Sequence, residues 1–120
     1  MIFNEHKPIF LQIADLLSDR VLQKEYGEDE RIPSVRELGG ELGVNPNTVV
    51  RSYDHLQSNE VIYNKRGLGY FISPGARERI LSIRRDDFTK DELPEFFNKM
   101  KTLGVSIDYI VEKYKEFNQN

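Results

Sequence analysis

Between residues 45 and 51 the chain reads Asn-Pro-Asn-Thr-Val-Val-Arg, a run that places amides, a hydroxyl and a guanidinium within two turns of a helix. These groups suit the edges of nucleic-acid bases. An arginine can donate two parallel hydrogen bonds to guanine O6 and N7, an asparagine can pair in the same way with adenine, and amides or hydroxyls reach phosphate oxygens. Asn45, Thr48 and Arg51 are expected on the face opposite the buried stripe of this helix, with Asn47 beside them at the exposed first turn. The free N–H groups and positive dipole end of that turn would favour a phosphate. Around this core candidate stand Ser34 and Arg36 upstream, placed to grip the backbone, and Lys65, Arg66 and Gly67 downstream, at a basic turn kept slim by glycine. The two lysine and arginine side chains of that turn could follow a phosphate ridge or enter a minor groove.

No comparable constellation serves catalysis. The chain has no cysteine, so it has no thiolate nucleophile, thiolate metal site or disulfide. Its two histidines, His6 and His55, are far apart and lack flanking ligand spacing, so neither a metal nor any other cofactor is expected. A Gly-rich phosphate loop and a nucleophile motif are also missing, and an enzyme is not expected. The acidic run Glu28-Asp29-Glu30 reads as a solvated loop, and Arg84-Arg85 as surface or dimer edge.

Helices and a hairpin must hold the candidate residues. Over residues 8–25 the apolar positions Ile9, Ile13, Leu16, Leu17 and Val21 mark one buried helical face. The following stretch, 26–33, reads as a connecting loop with Ile32 dipping inward. Ser34 followed by Glu37 is a capping box that opens a second helix of about two turns, which Gly43 closes. The third helix starts at Asn45-Pro46, and its stripe Val49, Ser52, Tyr53 and Leu56 faces inward. After Asn59 the pattern alternates in 61–64 and 69–73 around the turn 65–69, which predicts a hairpin whose Tyr70 and Phe71, like Tyr53, point into the core. Past Ser73-Pro74-Gly75 three helical pieces are expected near 76–87, 90–102 and 106–117, the second bent or started at Pro94.

The fold expected is mainly α with a small β-hairpin: a winged helix-turn-helix over residues 1–74 followed by a helical tail over 75–120. Length leaves room for one compact domain and a short appendage. The net charge of -3 is unusual for a nucleic-acid binder, and residues 1–74 carry all of it, with eight basic residues against eleven acidic. Binding to DNA would therefore depend on local placement. The acidic balance favours a competing reading, a winged-helix module that binds a protein partner without reading DNA. No signal peptide or membrane span is apparent, and a cytoplasmic location is expected.

Residues 8–73 resemble the winged-helix core of GntR-type regulators, through the ordered set Pro33-Ser34, Arg36, Leu38, Gly43-Val44, Thr48-Val49, Leu56 and Gly67-Leu68-Gly69. Many such proteins carry basic residues where this chain has Pro46 and Val50, so Arg51 is the one recognition-helix arginine that can be carried over. The Asn-Pro-Asn-Thr start and the short helical tail resemble the YtrA-like subfamily, small dimeric repressors often associated with transporter genes. That resemblance implies a cytoplasmic homodimer that binds double-stranded DNA at a palindromic operator. It further implies a tail that dimerises through Ile80, Leu81, Phe96, Phe97, Met100, Leu103, Ile107, Ile110, Val111, Tyr114 and Phe117. The chain is too short for the large effector domains of other relatives, which leaves the dimer interface as the place for any small effector.

Overall fold

The computed structural model describes residues 6–119. It contains α1 (Ile9–Leu22), α2 (Val35–Leu42), α3 (Pro46–Ser58), β1 (Ile62–Lys65), β2 (Gly69–Ile72), α4 (Ala76–Asp87), a π-helical turn (Phe88–Glu92), α5 (Leu93–Leu103) and α6 (Ile107–Asn118). The chain divides into two compact units between Ser82 and Ile83, inside α4.

The core of the first unit is built from one face of each element. Ile13, Leu17 and Val21 of α1 meet Leu38 of α2, Val49, Tyr53 and Leu56 of α3, and Ile62 and Ile72 of the hairpin. Ile32 is buried among them, as expected of the connecting segment. Buried Tyr53 donates its hydroxyl proton to the Pro33 carbonyl at 2.5 Å, which satisfies the one polar atom that its ring carries inward. Burial pushes its phenol well above the ordinary tyrosine range. Ala76 and Ile80 of α4 also lie in this core, and Arg77 donates to the Leu22 carbonyl at the end of α1. The unit therefore continues past the glycine break at Gly75, and Ile80 is core rather than part of a free tail surface.

Helix ends follow the start signals more closely than the stop signals. At α2 the Ser34 hydroxyl accepts the Glu37 N–H and the Glu37 carboxylate accepts the Ser34 N–H, both at 3.1 Å. Gly43 ends the helix in the left-handed region at φ 68°, as expected of that residue. By contrast α1 stops at Leu22, and the reversal is made by Lys24 at φ 64°, a residue type that gives no warning of it. Between α2 and α3 the chain turns so tightly that a Cβ on Gly39 would sit 3.0 Å from the Val44 carbonyl oxygen. Glycine is needed there for space, because the Val44 N–H returns to the Gly39 carbonyl at 3.0 Å.

The hairpin pairs Ile62 with Ile72 and Lys65 with Gly69. Its outer edge is occupied as well, since residues 29–32 run along β2 through bonds from Asp29 N–H to the Ile72 carbonyl and from Ile32 N–H to the Tyr70 carbonyl, at 2.7 and 3.0 Å. The segment read as a connecting loop thus shields the free edge of the wing. Alternation along β2 turns Tyr70 inward, 4.8 Å from the Tyr53 ring centre, and Phe71 outward. Phe71 instead stacks on Tyr63 of β1 at 5.7 Å, so its expected place in the core is corrected by the period-two rule.

In the second unit the chain passes from α4 to α5 through the π-helical turn just ahead of Pro94. A proline ring collides with the carbonyl four residues earlier in a regular helix, and one widened turn relieves that clash without ending the helix. Gly104 at φ 67° then closes α5, and the Ser106 hydroxyl caps α6 by accepting the Tyr109 N–H. Neither α5 nor α6 contains a fully buried residue. Leu103, Ile107, Tyr114 and Phe117 are each 60–75% exposed.

Candidate nucleic-acid interface

The inward stripe of α3 leaves Asn47, Val50, Arg51 and Asp54 on its outer face, all exposed. Thr48 is half-buried at the edge of the stripe, and Asn45 is the cap rather than a member of the face. Val50, 37% exposed between Asn47 and Arg51, joins the polar side chains. A branched methyl surface there suits the C5-methyl group of thymine. Its place on this face follows from the 3.6-residue period.

The first turn of α3 differs from expectation in its backbone. Pro46 has no N–H, the Asn47 N–H is bonded to Asn45 Oδ1 at 2.8 Å, and the Thr48 N–H reaches the Asn45 carbonyl at 2.9 Å. These donors are therefore used internally, and only the dipole and the side-chain amides remain to meet a phosphate. The hydroxyl of Ser34 is engaged at the start of α2, where it accepts the Glu37 N–H and also bears on the Glu37 carboxylate.

Asp54 stands exposed on this face, while several acidic residues near it are spent on structure. Glu41 pairs with Arg20 at 2.7 Å, Asp29 accepts the Tyr63 hydroxyl at 2.7 Å, and Glu28 accepts the Gly75 N–H at 2.7 Å. The Glu37 carboxyl is held below its ordinary range, first by the Ser34 backbone N–H and then by the Ser34 hydroxyl, with the charge of Arg31 adding to both. Arg36 is exposed, and neither neighbouring carboxylate, Glu37 or Glu41, pairs with it. Among the described residues Arg31, Arg36, Arg51, Lys65 and Arg66 form no ion pair with a carboxylate.

Two of these cations rest on aromatic rings instead. The Arg51 guanidinium lies 4.3 Å from the centre of the Phe10 ring, and the Lys65 ammonium 5.2 Å from that of Phe71. At the wing tip Arg66 and Leu68 are exposed and Gly67 turns the chain at φ 82°, with open space where a Cβ would point, so glycine serves conformation there. Gly69, at φ 115°, serves both purposes, because a Cβ on it would meet the Arg31 side chain at 3.1 Å. That contact sets Arg31 beside the wing, a position with no signal in the sequence because a bridge from Arg31 to Phe71 creates it.

Among the described residues no helix is long and apolar enough to cross a membrane. In the second unit Phe88, Leu93 and Phe96, with Glu92, Glu95 and Lys99, line a cavity of about 370 Å3.

Comparison with known proteins places this architecture. The family described as bacterial regulatory proteins, gntR family, matches residues 10–72. From Bacillus subtilis, the helix-turn-helix transcriptional regulator YhcF is 36% identical over 98% of this chain and 95% of its own length. The transcriptional repressor YtrA of the same organism is 29% identical over 92% of the chain and 85% of its own. A GntR-family structure from Bacteroides thetaiotaomicron is 52% identical, covers 92% of this chain and 96% of its own, and superposes with a TM-score of 0.85. The DNA-binding domain of AraR, solved with its operator, is 25% identical over 61% of this chain and 88% of its own, with a TM-score of 0.55. A winged helix-turn-helix with this motif order, extended by a short helical tail, makes the chain a member of the GntR family of transcriptional regulators, within its YtrA-like subfamily.

Proposed function

We propose that the chain is a homodimeric repressor that reads a near-palindromic operator. Each protomer lays α3 in the major groove, where Asn47 and Arg51 meet base edges. Asn45, Thr48, Ser34 and Arg36 hold the neighbouring backbone, and Lys65, Arg66 and Gly67 bring the wing to a phosphate ridge or the minor groove. The observation that carries this reading is the uncompensated state of Arg36, Arg51, Lys65 and Arg66 in a chain whose net charge is -3. Local potential at these elements can then be positive although the whole is acidic. The operator-bound AraR domain supports the DNA assignment, and the repressor YtrA supports the sign of regulation.

In this reading the part of residues 75–120 beyond the Ala76 and Ile80 core contacts, from Ile83 on, forms the dimerisation tail. Large apolar side chains of α5 and α6, including Phe97, Leu103, Ile107, Tyr114 and Phe117, stand exposed, a pattern that an isolated soluble chain rarely tolerates. Pairing them across a two-fold axis would place the two heads on half-sites one helical turn, about 34 Å, apart.

Selection of bound duplexes from a random pool at near-physiological salt tests the proposal. Enrichment of a near-palindrome that is lost steeply as salt rises is the expected result. No enrichment from a folded dimer at any salt would favour a protein-binding module instead.

A further inference from the structure

We propose that Phe10, at the start of α1, is the positioning residue for the recognition arginine: its ring holds Arg51 ready to read one base pair. This rests on the reading of Arg51 as a base contact. The carbonyl of Phe10 accepts the hydroxyl proton of Ser52, a fully buried residue of α3, at 2.7 Å, so the backbone of residue 10 is fastened to the recognition helix. Its ring packs edge-on with His55, one turn further along α3, at 6.2 Å. His55 is itself in contact with Asn59 through Nε2, at 3.3 Å from the Asn59 amide nitrogen. A ring fixed at both backbone and side chain then carries the Arg51 guanidinium at 4.3 Å from its centre.

The choice of an aromatic ring over a carboxylate has a chemical consequence. A bidentate carboxylate would occupy two of the five guanidinium donors and cancel its charge, leaving fewer donors to turn toward guanine. A ring attracts the cation through its face, while the five N–H donors point outward in the guanidinium plane and remain free. The long side chain is thus ordered before DNA arrives, and less freedom is lost when it binds. The ring at position 10 thus meets both Arg51 and His55 of α3.

The test compares full-length wild type, Phe10→Leu, Phe10→Trp and Arg51→Ala on the selected operator and on duplexes altered one base pair at a time. Arg51→Ala should erase the preference at one position in each half-site. Phe10→Leu should weaken operator binding by about three- to ten-fold and compress the preference at that same position alone, with an unchanged salt slope, and Phe10→Trp should restore it. In the free proteins, nuclear magnetic resonance order parameters of the Arg51 Nε–H should drop in Phe10→Leu and recover in Phe10→Trp. A Phe10→Leu protein with a rigid Arg51 and full discrimination would overturn the proposal, as would an equal loss on every sequence. If Arg51→Ala keeps every preference, the base-reading role of Arg51 falls first and the positioning role with it.

Discussion

In the proposed operator complex single side chains act as readers or as grips, and the two kinds would differ in what their removal does. Arg51→Ala is expected to cost about 1–3 kcal/mol on the operator and to relax specificity at one position. Lys65→Ala should weaken binding about equally across sequences and reduce the salt slope by roughly one, because a phosphate contact releases a counterion whatever the base. Titrations of both variants at several salt concentrations separate these outcomes. In the core, Tyr53→Phe removes the partner of the Pro33 carbonyl and should lower stability by about 1–2 kcal/mol in urea unfolding. Residue types and spacing made Asn47, Arg51 and the wing cations legible in the sequence. Phe10 and Arg31 were not, since each gains its place from a partner distant in the chain: Ser52 for the first, the wing for the second. Phe71 departs from the expected inward period because neighbouring strand residues face opposite sides, so Tyr70 and Phe71 cannot both enter the core.

At the scale of elements, two adjacent glycines in α2 make contrasting predictions. A side chain on Gly39 meets the backbone of the turn, so Gly39→Val should destabilise the protein by about 2 kcal/mol or more. Gly40 has nothing within 4 Å of its Cβ position, and Gly40→Ala should stabilise by about 0.5–1 kcal/mol through helix propensity. Thermal unfolding of the pair should move in opposite directions. The capping box is a third case, with Ser34→Ala expected to cost about 1 kcal/mol at neutral pH. Because the Glu37 carboxyl is held below its unfolded value, its contribution is present above the ordinary glutamate range and lost as pH falls through the lowered one. The stability gap between wild type and Ser34→Ala should therefore narrow on acidification. Starts of helices were readable because caps are side-chain chemistry. The end of α1 was hidden by a lysine in a left-handed turn, and the π turn before Pro94 is a backbone accommodation with no residue type of its own.

Across the whole molecule the acidic net charge is reconciled with DNA binding by where the charges are spent. Carboxylates close caps, loops and internal ion pairs, while the cations of α2, α3 and the wing remain uncompensated by ion pairs. The tail supplies apolar surface without burying it, and that surface is what the proposed dimer would pair. Replacing Leu103 and Phe117 together by glutamate should convert a micromolar dimer to a monomer in analytical ultracentrifugation and weaken operator binding at least tenfold, with the helix content of the first unit retained. The central claim, two equivalent reading heads on one DNA site, is tested most directly by hydroxyl-radical footprinting of wild-type protein on the selected duplex. The account predicts two matching protected patches related by a dyad and separated by one helical turn or a multiple of it. A single protected patch, or uniform protection with no dyad, would contradict it.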